Sequence, residues 1–201
     1  MKLVPISIEH LSGVMSENQL LCFIGRIAGE CYGSAIDENK CINRALNCIA
    51  RGHHSPWEHY NVTIKCTVDR GTSHALVRHR HCAFQQSSTI YQKYDELCII
   101  KQDDISDEEI MLYNECEENY IRMTQGHIVP SRARDILPNA LATNLIITTN
   151  IRQWMYMIQR RCGPGDSNNM HEWCKITRKW FENYYPRITA AFDEWYNRHP
   201  L

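Results

Sequence analysis

The chain has 201 residues, 43% of them hydrophobic, and a formal net charge of −1. That length and apolar content suffice for one domain, residues 1–201, with a real core, and the near-neutral balance excludes a bulk polyanion binder, so any basic site must be local. Ten cysteines without a CxxC pair or zinc-finger spacing argue against a disulfide framework, and with no signal-like leader and no apolar run of about 18 residues the sequence reads as a reduced cytoplasmic protein without a membrane span.

From Glu17 to Cys31 the residues Leu20, Phe23, Ile24, Ile27 and Ala28 recur at three and four, which predicts a helix with one apolar face. A second helix is expected over Asn39 to Arg51, closed by Gly52. Tyr60, Val62, Ile64, Cys66 and Val68 alternate with polar residues, the period of a half-buried strand. Thr72 or Ser73 is the expected cap of a helix carrying His74, Arg78 and His81. Ser106, with Glu109 three residues on, forms a capping box for a helix to Thr124 that Gly126 ends. Ser131 should open a short helix stopped by Pro138, and the β-branched run Leu141 to Thr149 a second strand. Asn150 then caps a helix to Arg161. Beyond a Gly- and Asn-rich loop, Met170, Trp173, Cys174, Thr177, Trp180, Phe181 and Tyr184 follow helical spacing, as do Ile188, Ala191, Phe192 and Trp195; such stripes are core or interface. The sum is an α+β fold, helix-dominated with a small sheet.

Three clusters bear chemistry. In the helix ending at Arg161, the stripe Ile151, Trp154, Met155 and Ile158 places Arg161 at the margin of the buried face; its guanidinium either pairs with a core-edge carboxylate or offers a two-pronged donor to a planar ligand. The turn GHHSPWEH, residues 52–59, contains proline and precedes a strand, so helical metal-ligand geometry is not expected and no metal is assigned. The third cluster is RHRH at 78–81 with Arg134, an anion site suited to phosphate. Cys82 beside it would be either an activated nucleophile or an inert packed thiol.

In order along the chain, GHHSPWEH at 52–59, RHR at 78–80, Ser88 and Tyr91 downstream, ARDILP at 133–138 and NIRQWMYMIQRR at 150–161 resemble the blocks of the flavin-dependent thymidylate synthases. That family's signature reads R-H-R-x-x-S-x-N-E-x-S-x-R-Y. The resemblance implies a homotetramer with active sites shared between subunits, acting on a pyrimidine nucleotide with no nucleic-acid polymer and no membrane as partner. It implies FAD recharged by NADPH as hydride source and methylenetetrahydrofolate as carbon donor. Carried over by position, Ser55, Arg78, His79, Arg80, Gln86, Asn150, Arg152 and Tyr156 would bind the flavin. Arg78, Gln86, Ser87, Ser88, Thr89, Arg134 and Arg161 would bind the nucleotide, with Arg161 as the catalytic residue.

Four signature positions depart: Ala83, Gln85, Gln86 and Ile90 stand for Ser, Asn, Glu and Arg, and Ala75 stands where the family has Gln. The exchange at 86 and 90 removes one charge of each sign and deletes an arginine fork. Lys93–Tyr94 offers itself as a shifted replacement of the Arg–Tyr pair. The Gln86 amide both donates and accepts, which leaves dCMP, UMP and CMP open beside dUMP, and methyl open beside hydroxymethyl. Three rivals remain: a Cys82-dependent enzyme without flavin, a single-stranded nucleic-acid binder, and a nucleotide- and flavin-binding relative without transfer activity.

Overall fold

A computed structural model describes residues 1–12, 14–31, 33 and 37–201. Its centre is an antiparallel pair of nine-residue strands, β3 (Asn61–Asp69) and β6 (Ala142–Asn150), in register from Asn61 opposite Asn150 to Asp69 opposite Ala142. Val62, Ile64, Cys66 and Val68 of β3 and Leu145 and Ile147 of β6 are at most 1% exposed, so the alternation in sequence is the alternation of faces. Short strands complete this sheet: β2 (Ser7–His10) lies outside β3, and β4 (Ala83–Gln86) lies outside β6, both antiparallel. A second, two-stranded parallel sheet joins β1 (Lys2–Val4) to β5 (Cys98–Ile100). A bridge from Ile99 to Leu141 ties it to the start of β6.

Helices α1 (Glu17–Glu30), α2 (Glu38–Ala50), α6 (Ile151–Arg161), α7 (Asn168–Tyr184) and α8 (Pro186–Arg198) contribute to one apolar cluster with the buried face of the sheet. Ile151, Trp154, Met155 and Ile158 are buried as the stripe requires, with Met157 beside them. Two indoles fasten the layers: Trp154 Nε1 donates to the Val62 carbonyl at 3.1 Å, and Trp173 Nε1 contacts Cys66 Sγ at 3.2 Å. Truncating either to alanine would cost about 3–5 kcal/mol. The helices α1 and α2 meet at Gly25, where a Cβ would lie 2.0 Å from the Cys41 carbonyl oxygen; only glycine permits that approach. Gly52 closes α2 at φ +75°, the left-handed conformation its position in the sequence calls for.

Two expected helix starts are corrected. The helix α3 (Arg70–Leu76) is capped by Asp69, whose carboxylate accepts from Thr72 N at 2.7 Å and from Thr72 Oγ1 at 2.6 Å. Ser73 lies inside it, donating Oγ–H to the Arg70 carbonyl three residues back, the usual use of a mid-helix hydroxyl. The helix ends before RHRH: Val77 is its C-cap, so Arg78, His79, Arg80 and His81 leave on a turn, and all four line one cavity. The short α5 (Pro130–Ala133) opens at Pro130 after Val129, because proline's fixed φ and missing N–H suit the first helical position, and Ser131 follows within it. The capping box of Ser106 and Glu109 on α4 (Asp107–Gln125) and the Asn150 cap on α6 are formed as the sequence predicts. Among the described residues, no helix is long and apolar enough to cross a membrane.

Candidate active site

The strand β6 runs directly into α6, and the turn after α3 runs back along it into β4. Thr149 Oγ1 donates to the His81 carbonyl at 2.7 Å, pinning that turn to the strand end. Between turn and helix opens a cavity of about 870 Å³, lined by Arg78, His79, Arg80, Asn150, Arg152 and Tyr156. All six are flavin residues by resemblance, drawn from two segments about seventy positions apart. The cavity is also lined by Glu58 of GHHSPWEH, by Trp195, expected only as core or interface, and by Tyr196, which the sequence did not single out. Asn150 Oδ1 is used by the helix cap, accepting from Gln153 N at 2.9 Å, which leaves its amide N–H groups for the cavity. Arg152 pairs with Glu58 of the 3₁₀ turn Ser55–His59; both are about half exposed, so the pair contributes at most about 1 kcal/mol.

His79 is buried at 8% exposure, and its ring meets Tyr156 edge-on at 6.0 Å. Its Nε2 accepts from Arg161 Nε at 3.0 Å, so the ring proton sits on Nδ1. Burial first, then the Arg161 and Arg160 charges, push its pKa down to about 4, with Asp166 opposing. The imidazole is therefore neutral near neutrality. Arg161 is 18% exposed and spends two further donors, Nη2 to the Ala75 carbonyl at 2.8 Å and Nη1 to Asp166 Oδ1 at 3.3 Å. Three of the five guanidinium N–H groups are thus engaged and two remain. Both roles foreseen for Arg161 are open in this setting: it has a carboxylate partner and it retains donors.

Ser55 lies elsewhere. It is exposed on the 3₁₀ turn and faces a different cavity, about 710 Å³, between α1, α2 and that turn. Lys40, Arg44, Arg51, His53 and His59 share this lining, which among the described residues includes no carboxylate. His54 faces inward instead, its Nε2 at the Ile49 carbonyl and its pKa lowered by burial. Among the described residues no three His, Cys, Asp or Glu side chains are placed to hold a metal.

The nucleotide residues other than Arg78 and Arg161 lie along β4, the loop after it and the turn at Arg134. Gln86 Nε2 donates to Ser73 Oγ at 2.9 Å and to Thr143 Oγ1 at 3.3 Å, so its donors face the fold and Oε1 is the uncommitted atom. Ser87 lines a cavity of about 340 Å³ beside β1 and β6. Ser88 Oγ accepts from Ile90 N at 3.2 Å, and buried Thr89 accepts from Arg134 Nη1 at 3.5 Å. Ile90 and Tyr91 point outward, 43% and 88% exposed. Tyr94 turns in, edge-on to Tyr120, which separates it from the exposed Lys93 and removes that pair as a copy of the missing one. Cys82 contacts Met157 Sδ, and burial pushes its thiol pKa up, the opposite of activation.

Two partners were not legible as functional in the sequence. Asp166 lies in a Gly-rich loop with no signal of its own, and Ala75 acts through its backbone carbonyl, which any residue would supply. Glu58 stood within GHHSPWEH, where its acidity beside Arg152 was a usable sign.

Three comparisons bear on this arrangement. The sequence model of the family described as "Thymidylate synthase complementing protein" matches residues 14–187. A probable flavin-dependent thymidylate synthase of Paramecium bursaria Chlorella virus 1 is 23% identical, with 96% of this chain and 98% of that protein aligned. The flavin-dependent thymidylate synthase of Synechocystis sp. is 24% identical over 89% of this chain and 91% of its own. Among solved structures, a UMP/dUMP methylase, PolB, from Streptomyces cacaoi, bound with 5-Br dUMP, superposes with a TM-score of 0.80 at 18% identity, covering 96% of this chain and 97% of that one; this likeness concerns the fold.

Proposed function

The chain belongs to the thymidylate synthase complementing protein family, and from that premise we propose that it is a flavin-dependent pyrimidine nucleotide methyltransferase, adding a one-carbon unit to C5 of dUMP or a close analogue. The observation that carries this reading is the convergence of Arg78, His79, Arg80, Asn150, Arg152 and Tyr156 on one cavity, with Arg161 bonded directly behind His79.

The residues fit a flavin nucleotide. The cavity volume lies within the range of about 300–1,000 Å³ typical of ligand sites; its arginines supply forked donors for phosphates, and the His79 and Tyr156 rings supply flat apolar faces. When bound there, FAD reduced by NADPH supplies the hydride, and methylenetetrahydrofolate supplies the carbon. Arg161, always charged, directs its two spare N–H groups to the pyrimidine edge and stabilises negative charge in the ring as C5 becomes nucleophilic. His79, neutral and protonated on Nδ1, holds the guanidinium without adding a second positive charge.

Ser55 and the basic cavity around it support a homotetramer with shared sites in this reading. One protomer offers flavin donors on two sides of the 3₁₀ turn, and Ile90 and Tyr91 project from the nucleotide loop into solvent, as groups that complete a neighbour's site would. We also take residues 1–201 as one domain working in the cytoplasm. For the substrate, Gln86 with only Oε1 uncommitted suits the N3–H of uracil, an acceptor facing a donor, and leaves the sugar open. The test is the flavin spectrum of the purified protein with dUMP, UMP, dCMP or CMP. A perturbation by the uracil nucleotides is expected, and no perturbation by any of the four would overturn the nucleotide reading.

A further inference from the structure

The residue after Arg161 is a cysteine with a second cysteine against it. Cys162 caps the C-terminus of α6, its N–H donating to the Ile158 carbonyl at 3.2 Å. Cys174, on α7, donates its thiol to that same carbonyl at 3.8 Å, so the two cysteines meet at the Ile158 carbonyl oxygen. The pair is asymmetric: Cys174 is fully buried, whereas Cys162 is exposed and lines a surface cavity of about 690 Å³ shared with His171, Lys175, Arg178 and Lys179. The neighbouring Cys174 thiol holds the Cys162 thiol below its ordinary range against the opposing effects of burial and Asp166, with Arg178 and His171 assisting; Cys162, with burial, pushes Cys174 up. An accessible sulfur that ionises easily, beside one that keeps its proton, is the division of labour between an attacking and a resolving thiol.

We propose that Cys162 and Cys174 are a peroxide-responsive dithiol that closes to a reversible disulfide at the end of α6. The Cys162 thiolate attacks a peroxide oxygen, breaking the O–O bond and becoming a sulfenic acid as hydroxide leaves. The Cys174 sulfur then attacks the sulfenic sulfur, the S–S bond forms, and the hydroxyl departs as water with the Cys174 proton. Two thiols and one hydrogen peroxide give one disulfide and two waters, the peroxide taking the electron pair.

The segment between them, 163–167, carries Asp166, the carboxylate on Arg161 Nη1. A disulfide of about 2.05 Å is far shorter than any non-bonded contact between two sulfurs, so closure draws Cys162 and this segment toward α7 and shifts Asp166 on the guanidinium. This consequence rests on the proposed role of Arg161; the dithiol chemistry does not.

Trypsin releases residues 162–175 as one peptide containing both cysteines and no internal Lys or Arg. After brief treatment of the full chain with stoichiometric hydrogen peroxide and alkylation, that peptide should be lighter by two hydrogens than its reduced form and refuse alkylation, while exposed Cys31 still alkylates. Dithiothreitol should restore both thiols, and Cys162→Ser, at an exposed position, should abolish the bridge. A peptide that keeps two alkylatable thiols, or Cys162 driven to sulfinic acid without a bridge, overturns the proposal. In parallel, the oxidised protein should need roughly tenfold more uracil nucleotide to perturb the flavin spectrum, as for a weakened charge-assisted hydrogen bond, reversed by dithiothreitol. An unchanged titration with the bridge present overturns the coupling to Arg161. If no nucleotide perturbs the flavin even in the reduced protein, the substrate reading fails and the peptide result still decides the dithiol.

Discussion

Arg161 and Arg134 are two of the three arginines, with Arg78, that the resemblance marks out for the nucleotide, and their surroundings differ in nearly every respect. Arg161 stands at the end of an eleven-residue helix, 18% exposed, and donates to an imidazole, a carbonyl and a carboxylate. Arg134 stands on a single 3₁₀ turn, exposed, and reaches one hydroxyl, Thr89 Oγ1, at 3.5 Å. The first region is assembled within one protomer, from the end of α6, the end of α3 with the turn after it, and the loop before α7. The second is an exposed rim, where Ile90 and Tyr91 are 43% and 88% exposed. Under the proposed function, such a division would separate chemistry, which needs fixed geometry, from substrate capture, which tolerates completion by a neighbour.

The largest expected effect tests the preformed side. Arg161→Ala should lower turnover by about 10²–10³-fold, the usual cost of removing a donor that meets developing charge, while the flavin spectrum is retained; unaltered turnover would dismantle the contrast. Next comes acid. His79 has its pKa lowered to about 4 from an ordinary 6.5, so the unfolded chain binds the proton first. Stability tied to its neutral form is fully present above pH 6.5 and is lost as pH falls toward about 4, a difference on the order of 3 kcal/mol. Urea unfolding across that window should follow this slope, and His79→Asn should flatten it.

On the rim, Arg134→Ala should weaken nucleotide binding by roughly 10–100-fold, the range for a lost charged hydrogen bond, with flavin content unchanged in a spectral titration. A loss of flavin together with nucleotide would mean that the two regions are one. The smallest effect belongs to Glu58→Gln: its pair with Arg152 is half exposed, and thermal unfolding should register no more than about 1 kcal/mol.

Legibility in the sequence divides along the same line. The alternation through β3 and β6 and the stripe of α6 are set by burial against water, and each residue's polarity reports it directly. Asn150 and Arg161 were readable because a cap and a helix end have residue signatures. The α3 start was misread because Asp69, Thr72 and Ser73 all carry cap chemistry, and only the end of β3 decides that Asp69 takes the position. The strands β1, β2, β4 and β5 are three or four residues long and exist through their pairing partners, which no local window contains. Gln86 illustrates the limit for the site. Its identity announced an amide, but the inward direction of its donors depends on Ser73 and Thr143, one on α3 and the other on β6.

The three bonds on Arg161 also bear on the entropy of substrate binding. A free arginine side chain carries about 2 kcal/mol of rotamer entropy, and one that had to be ordered by its ligand would charge that cost to each binding event. With His79, Ala75 and Asp166 fixing the guanidinium, the loss is incurred once, when the chain folds. In the proposed reading, an arriving nucleotide would meet a donor pair already immobilised, and its full interaction energy would go into affinity and the barrier.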